Sequence, residues 1–264
     1  PILKILEDQE NKIWISTFGD GLVKLDPNTY SVQFFKNNRF DETSIISDDI
    51  VAMSLDNSGT IWVGTYLGKG ISHFKKNEFN FNLIVSQPQN KNSLSDNIVL
   101  SMLYDSKGYL WFGTYKGGVD RYDPKSKTFI NITHDSKKPN SLSGTHIKAI
   151  GEDNDGDIWI GTDANGLNLY DRKSGAISII NSADSENSIS GDHIEEIVFD
   201  SQNNIWLGIY GGGINKFNVN EYKNKKVLNI KKYISSKSDS TALSDNNVYT
   251  LYFDSDSILW VGTI

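Results

Sequence analysis

The stretch DNDGDIWIGT, residues 153–162, sets three aspartates at alternate positions, with a glycine among them, directly ahead of an apolar run. It reads either as a cation-binding loop or as a tight turn that opens a β-strand. A calcium loop of the EF-hand type needs glycine at its sixth position and glutamate at its twelfth. Here Gly156 is fourth and Ala164 is twelfth. The same stretch also recurs along the chain, and the recurrence decides between the readings.

The six tryptophans are Trp14, Trp62, Trp111, Trp159, Trp206 and Trp260, spaced 48, 49, 48, 47 and 54 residues apart. Six residues before each stands an aspartate: Asp8, Asp56, Asp105, Asp153, Asp200 and Asp254. Two residues after each stands Ser16, Gly64, Gly113, Gly161, Gly208 or Gly262, followed by threonine in every copy but the fifth, which has Ile209. The first aspartate is common to all copies, whereas Asp155 and Asp157 are not, since the equivalent segments read DQENK, DNSGT, DSKGY, DSQNN and DSDSI. The shared element is therefore a hairpin turn, in which the aspartate caps backbone N–H groups and Gly or Asn accepts a positive φ. Asp155 and Asp157 are expected to be solvated.

Each repeat divides into four short strands. In the fourth copy they are IKAIGE, DIWIGT, LNLYD and AISIIN, and the polar stretch SADSENSISGDH leads to the next repeat. Four strands in about 48 residues, with no helical period, is the pattern of a β-propeller blade. The tryptophan in the second strand is placed to fill the space between neighbouring blades, and the glycine after it lets that strand pass close to the next one. The fold expected is all-β: a β-propeller of four-stranded antiparallel blades, with five complete repeats (2–49, 50–98, 99–146, 147–193 and 194–247) and half of a sixth (248–264). The half blade leaves unpaired edges, so a longer propeller is expected, and the opening at Pro1-Ile2-Leu3, inside a strand, reads as that of a processed chain or an excised piece.

Composition narrows the function. The 264 residues are 38% hydrophobic and 22% charged, with a net charge of −7. That balance disfavours nucleic acid and anionic membranes as partners, and no apolar run is long enough to span a bilayer. Cysteine is absent, which excludes disulfides, thiolate metal sites and cysteine nucleophiles.

The repeats VYTLYFDSDSILWVGT and IVAMSLDNSGTIWVGT, with the connector NSLSDNIV, resemble the two-component regulator propeller family. The resemblance covers the whole chain. The first copy departs from the pattern at Ser16, the fifth at Ile209, and the second carries an extra residue in YLGKG. The resemblance implies the extracytoplasmic, periplasmic sensor region of a bacterial hybrid histidine kinase. Such a region has two seven-bladed propellers ahead of a β-sandwich, a membrane span and the kinase, and responds to oligosaccharides. The partners it implies are a small-molecule or oligosaccharide ligand, the remaining blades and downstream domains of the parent, and a second copy in a homodimer. It implies no cofactor, no nucleic acid and no insertion of this chain into the membrane.

A ligand is expected on the face carrying the second-to-third-strand loops and the connectors, which are the longer and more variable segments. Four residues after each complete-blade tryptophan stand Phe18, Tyr66, Tyr115, Asp163 and Tyr210. These aromatics either stack on sugar rings or brace the loops. Just ahead of each innermost strand stand Asp49, Ile98, His146, His193 and Asn247, preceded by Asp48, Asn97, Thr145, Asp192 and Asn246. Their polar members either hydrogen-bond ligand hydroxyls or satisfy local backbone and channel water. His146 and His193, with Asp192 nearby, could hold a metal only with a third convergent ligand, and no metal is expected. The basic segment YKNKKVLNIKK of the fifth repeat reads as a solvated outer strand, or else as a docking patch.

Two other functions remain open at this point: a glycan-active propeller enzyme, and a protein-binding scaffold. The turn is similar to the Asp-box of propeller glycosidases, but that box has its glycine two residues after the aspartate and here the gap is three. Glycoside hydrolysis needs two carboxyls about 5–9.5 Å apart. The acids Asp48, Asp49, Asp163, Asp192 and Asp245 are scattered, with no pair standing out. No catalytic residue is assigned.

Overall fold

The structure, a computed structural model, describes residues 1–66, 68–75, 81–87, 89–182 and 187–264. Leu67 of YLGKG and residues 183–186 of the polar connector lie outside the described residues. Two compact units divide the chain, Pro1–Ile132 and Thr133–Ile264.

In the first unit three antiparallel sheets follow one another, each in sequence order from strand to strand. They are β1–β4 (Ile2–Glu7, Ile13–Thr17, Leu22–Leu25, Val32–Phe35), β5–β8 (Ile50–Leu55, Ile61–Thr65, Ile71–Phe74, Phe81–Ile84) and β9–β12 (Val99–Tyr104, Leu110–Thr114, Val119–Asp123, Thr128–Ile132). In the second unit β13–β16 (Ile147–Glu152, Ile158–Thr162, Leu167–Tyr170, Ile177–Ile180) and β17–β20 (Ile194–Phe199, Asn204–Ile209, Gly213–Asn218, Lys231–Tyr233) are likewise four-stranded. The last sheet pairs β21 (Val248–Phe253) with β22 (Leu259–Thr263). Within each unit the first strands of consecutive sheets lie side by side, and the core is the apolar layer between consecutive sheets.

The spacing of aspartate and tryptophan has a local cause that holds in all six copies. In the fourth, Asp153 Oδ1 accepts from the backbone N–H of Asp155 (3.0 Å) and Asp157 (3.1 Å), while Oδ2 accepts from Trp159 Nε1 (2.8 Å). The other five aspartates make the same three bonds, with indole distances of 2.8, 3.0, 2.6, 3.0 and 2.7 Å. The residue three after the aspartate turns through positive φ, as glycine in three copies and as Asn11, Asn203 or Ser257 in the others. One carboxylate thus closes the turn with one oxygen and orients the core indole with the other. Burying an indole N–H without an acceptor would be costly.

The glycine after the tryptophan is required by the next sheet. A Cβ on Gly64 would stand 2.9 Å from Val99 Cγ1, and one on Gly161 2.7 Å from Ile194 Cγ2. Trp14, Trp62, Trp111 and Trp159 are buried, but Trp206 is only partly buried, flanked by Tyr233 and Phe253.

Two expectations need correction. The fifth repeat contains a short helix, α1 (Val219–Lys225), so the basic segment begins on a helix and only its last two residues, in the strand Lys231–Tyr233, are extended. Asn218 caps the helix by accepting from Glu221 N–H, and Lys226 ends it in the left-handed conformation. Val219 and Tyr222 bury against Trp159 and Phe217. Seven residues, about two turns, are too few to show a helical period.

Nor are Asp155 and Asp157 merely solvated. Lys223 Nζ of α1 lies 2.6 Å from Asp153, 3.1 Å from Asp155 and 2.7 Å from Asp157. In other sheets the residue facing the tryptophan across the strand pair is basic: Lys24, His73, Arg121 and Lys216 lie against Trp14, Trp62, Trp111 and Trp206. Lys216 also pairs with Asp200 at 3.3 Å. Opposite Trp159 stands Leu169, and Lys223 supplies the missing cation from the next sheet. Burial opposes the charge on Lys223, but its bonds to Asp153, Asp157 and Asp155 outweigh this and raise its pKa. The three aspartates thus hold an ammonium group from within the chain.

Candidate functional site

The two series of candidate residues are joined by a bond that recurs in each complete sheet. The backbone N–H four residues after the tryptophan donates to the carbonyl just ahead of the first strand. The pairs are Phe18 to Pro1 (3.0 Å), Tyr66 to Asp49 (3.2 Å), Tyr115 to Ile98 (3.0 Å), Asp163 to His146 (3.0 Å) and Tyr210 to His193 (3.0 Å). Each loop side chain therefore emerges beside the entrance to its first strand.

In the first unit Phe18, Tyr66 and Tyr115 are 41%, 47% and 37% exposed. Phe18 and Tyr66 meet edge to face at 5.7 Å, and Lys116 lies 5.2 Å from the Tyr115 ring. In the second unit Tyr210, 44% exposed, meets His193 at 6.3 Å and Tyr249 at 5.8 Å. Asn247 holds the corresponding place ahead of β21, its N–H bonded to Asp245.

The residues preceding these turn out to be structural. Asp48, Asn97, Asp192 and Asn246 accept from the backbone N–H groups of Asn37, Ser86, Ser182 and Ser235 at 2.6–2.7 Å. Asp192 also accepts from the Ser182 hydroxyl, so both of its oxygens are engaged away from the histidines. Among the described residues no group of three His, Cys, Asp or Glu side chains is placed to hold a metal.

Asp163, the one member of its series that is not aromatic, organises a polar cluster in the second unit. His146 Nδ1 is 3.2 Å from its Oδ2, and His193 Nδ1 and Lys148 Nζ are each 3.8 Å from its Oδ1. Lys148 Nζ also contacts both Glu195 oxygens, at 3.1 and 3.3 Å. Burial lowers the pKa of His146, Asp163 opposes that, and Lys148 adds to it. The cluster offers donors and acceptors side by side on a half-exposed surface, which suits hydrogen bonding to hydroxyl groups.

Lys148 and Glu195 were not among the sequence candidates. Each is the second residue of its first strand, where the register to the neighbouring strand skips one residue in all six sheets. Such a bulge re-aims the extra side chain. The bulged residues run Leu3, Val51, Leu100, Lys148, Glu195, Tyr249, and the change from aliphatic to polar was readable in the aligned repeats. The bulge that gives it meaning was not.

The sequence profile of the two component regulator propeller family matches residues 44–67, 93–116, 141–164 and 242–264. Each match runs from a connector to the end of a tryptophan strand. The first and fifth copies, with Ser16 and Ile209 at pattern positions, are outside the matches. No curated protein matches the chain. Among solved structures it is similar to the extracellular domain described as that of a hybrid two component system of B. thetaiotaomicron (TM-score 0.79, 21% identity, 99% of this chain and 32% of that one). It is also similar to PorZ, described as a surface component of the type-IX secretion system of Porphyromonas gingivalis (0.72, 17%, 100% and 37%). A third similarity is to virginiamycin B lyase of Staphylococcus aureus (0.68, 15%, 99% and 76%). At these identities the likeness establishes the fold, a β-propeller of antiparallel blades. The chain spans about a third of the length of the first two.

Proposed function

We infer, from a chain that carries the repeats of the two-component regulator propeller family, a ligand-sensing propeller segment of a hybrid two-component sensor, with an oligosaccharide as its ligand. The observation that carries this reading is the presence of half-exposed aromatic rings and polar side chains beside the entrances to the first strands. Phe18, Tyr66 and Tyr115 in the first unit, and Tyr210 in the second, each offer flat apolar surface to the C–H face of a sugar. In the second unit His146, Asp163 and His193, beside Tyr210, offer hydrogen bonds that orient the hydroxyls of a sugar bound there.

The chain itself is assigned binding and no chemistry. Its place is the extracytoplasmic, periplasmic side of a membrane-anchored parent whose downstream domains include the kinase. The likeness to the extracellular domain of a hybrid two component system supports that placement.

Calorimetry against a panel of neutral oligosaccharides tests the reading, with reducing-end release followed in the same samples. Binding without cleavage is expected, insensitive to salt, because a neutral sugar releases no counterions. Tyr115→Ala is expected to weaken it by about 1–2 kcal/mol through loss of an aromatic platform. Cleavage would reassign the chain as an enzyme. No binding by any sugar would remove the sensing role.

A further inference from the structure

The bulged residues divide by character. Leu3, Val51 and Leu100 of the first unit are aliphatic; Lys148, Glu195 and Tyr249 of the second are not. We propose that Lys148 and Glu195 are specificity-determining residues of the ligand face. With Asp163 and His193 they form a subsite for one uncharged, hydroxyl-bearing ring, and they exclude anionic glycans. This rests on the sensing role proposed above and names the class of sugar it accepts.

Two observations carry it. The first is the spacing at Asp163 Oδ1, which lies 3.8 Å from both Lys148 Nζ and His193 Nδ1. That is too long for a direct hydrogen bond, and an oxygen seated over the gap can hydrogen-bond to both sides of it. The bridging atom must accept from a nitrogen and donate to the carboxylate, as a hydroxyl does. A ligand carboxylate or sulfate oxygen cannot donate.

The second is the charge balance. Lys148 is shared between two carboxylates, Glu195 at 3.1 Å and Asp163 at 3.8 Å, so with neutral imidazoles the group carries one negative charge in excess. Glu195, buried beside Lys148, is compensated by it, so the excess charge rests on the partly exposed Asp163, where it repels an incoming anion. Lys148, already committed to Glu195, is not available as an anion anchor. The Tyr210 ring, 6.3 Å from His193, provides the apolar wall beside the hydroxyl contact.

The test is calorimetry on the full chain with two sets of hexasaccharides: neutral (gluco-, xylo-, arabino-, galacto-) and anionic (galacturonate, chondroitin sulfate). The wild type is expected to bind one or more neutral sugars and no anionic one. Asp163→Asn keeps the shape but turns an acceptor into a mixed group. It should weaken neutral binding about tenfold, the effect of losing a hydrogen bond to a charged partner. Asp163→Asn/Glu195→Gln frees Lys148 and should bring measurable binding of an anionic hexasaccharide, with thermal melting confirming that both variants fold.

Wild-type binding of an anionic glycan would overturn the subsite while leaving a sensing role. Neutral binding unchanged in Asp163→Asn would overturn it too, placing the site elsewhere. If no sugar of either set binds the wild type, the sensing reading fails, and this inference with it.

Discussion

Replacing Asp120 by asparagine should make the protein more stable and remove one component of its pH dependence. Asp120, on β11, is 0% exposed and accepts from Ser95 N and Oγ, both at 2.8 Å, and from Asn131 Nδ2. The corresponding residues in the next two sheets are amides. Asn168 accepts from Ser143 N at 2.8 Å and donates to its hydroxyl, and Asn215 treats Ser190 in the same way.

Burial pushes the Asp120 carboxyl up to about 6, against its hydrogen bonds from Ser95 and Asn131, with Asp96 adding a little. Relative to the ordinary value of 3.8, and at about 1.4 kcal/mol per pH unit, the buried charge costs about 3 kcal/mol once fully ionised. The folded pKa lies above the unfolded one. The stability this group contributes is therefore intact below pH 3.8 and is lost as pH rises to about 6, where the penalty becomes constant.

Asp120→Asn should therefore gain about 2–3 kcal/mol over the parent at pH 8 and almost nothing at pH 4. Urea denaturation of both proteins across that range isolates the effect, because the other carboxylates cancel in the difference. A variant no more stable than the parent at pH 8, or a gain equal at both pH values, refutes the reasoning.

Lys223→Met leaves Asp153, 0% exposed at its side chain, without its cation, and should cost about 3–5 kcal/mol; Leu169→Lys in the same background, restoring a cation across from Trp159, should recover part of it in urea denaturation. Millimolar calcium should not move the melting temperature of the wild type, because the Lys223 ammonium already lies against Asp153, Asp155 and Asp157 and an ion that does not bind cannot stabilise; a rise of several degrees refutes this. Trp159→Ala should cost about 3–5 kcal/mol, whereas Trp260→Ala, at a side chain 60% exposed, should change stability by less than about 0.5 kcal/mol, and equal losses would show that the two rings are equally buried.

What the sequence determined by itself is whatever a few neighbouring residues can satisfy among themselves. An aspartate can close a turn on the N–H groups two and four residues ahead and take the indole six residues ahead, so each repeat carries its own instructions for a hairpin and an oriented tryptophan. Repetition then yields the blade, and the small residue after the tryptophan yields the approach of the next one. The loop aromatics and the polar residues ahead of each first strand were legible for the same reason, since they hold fixed places in the repeat.

Tertiary structure decided what depends on residues far apart in the chain. Lys223 reaches Asp153, 70 positions away in sequence, because helix α1 packs on Trp159. Nothing local in DNDGD shows that its charges are matched. Lys148 and Glu195 meet because bulges on two adjacent first strands turn both side chains to the same place. Asp120 is buried because an amide position in the repeat carries a carboxylate, and only the surrounding packing turns that one-atom difference into a displaced pKa. Charge pairing and desolvation are properties of the assembled neighbourhood, and a sequence repeat records positions without recording what faces them.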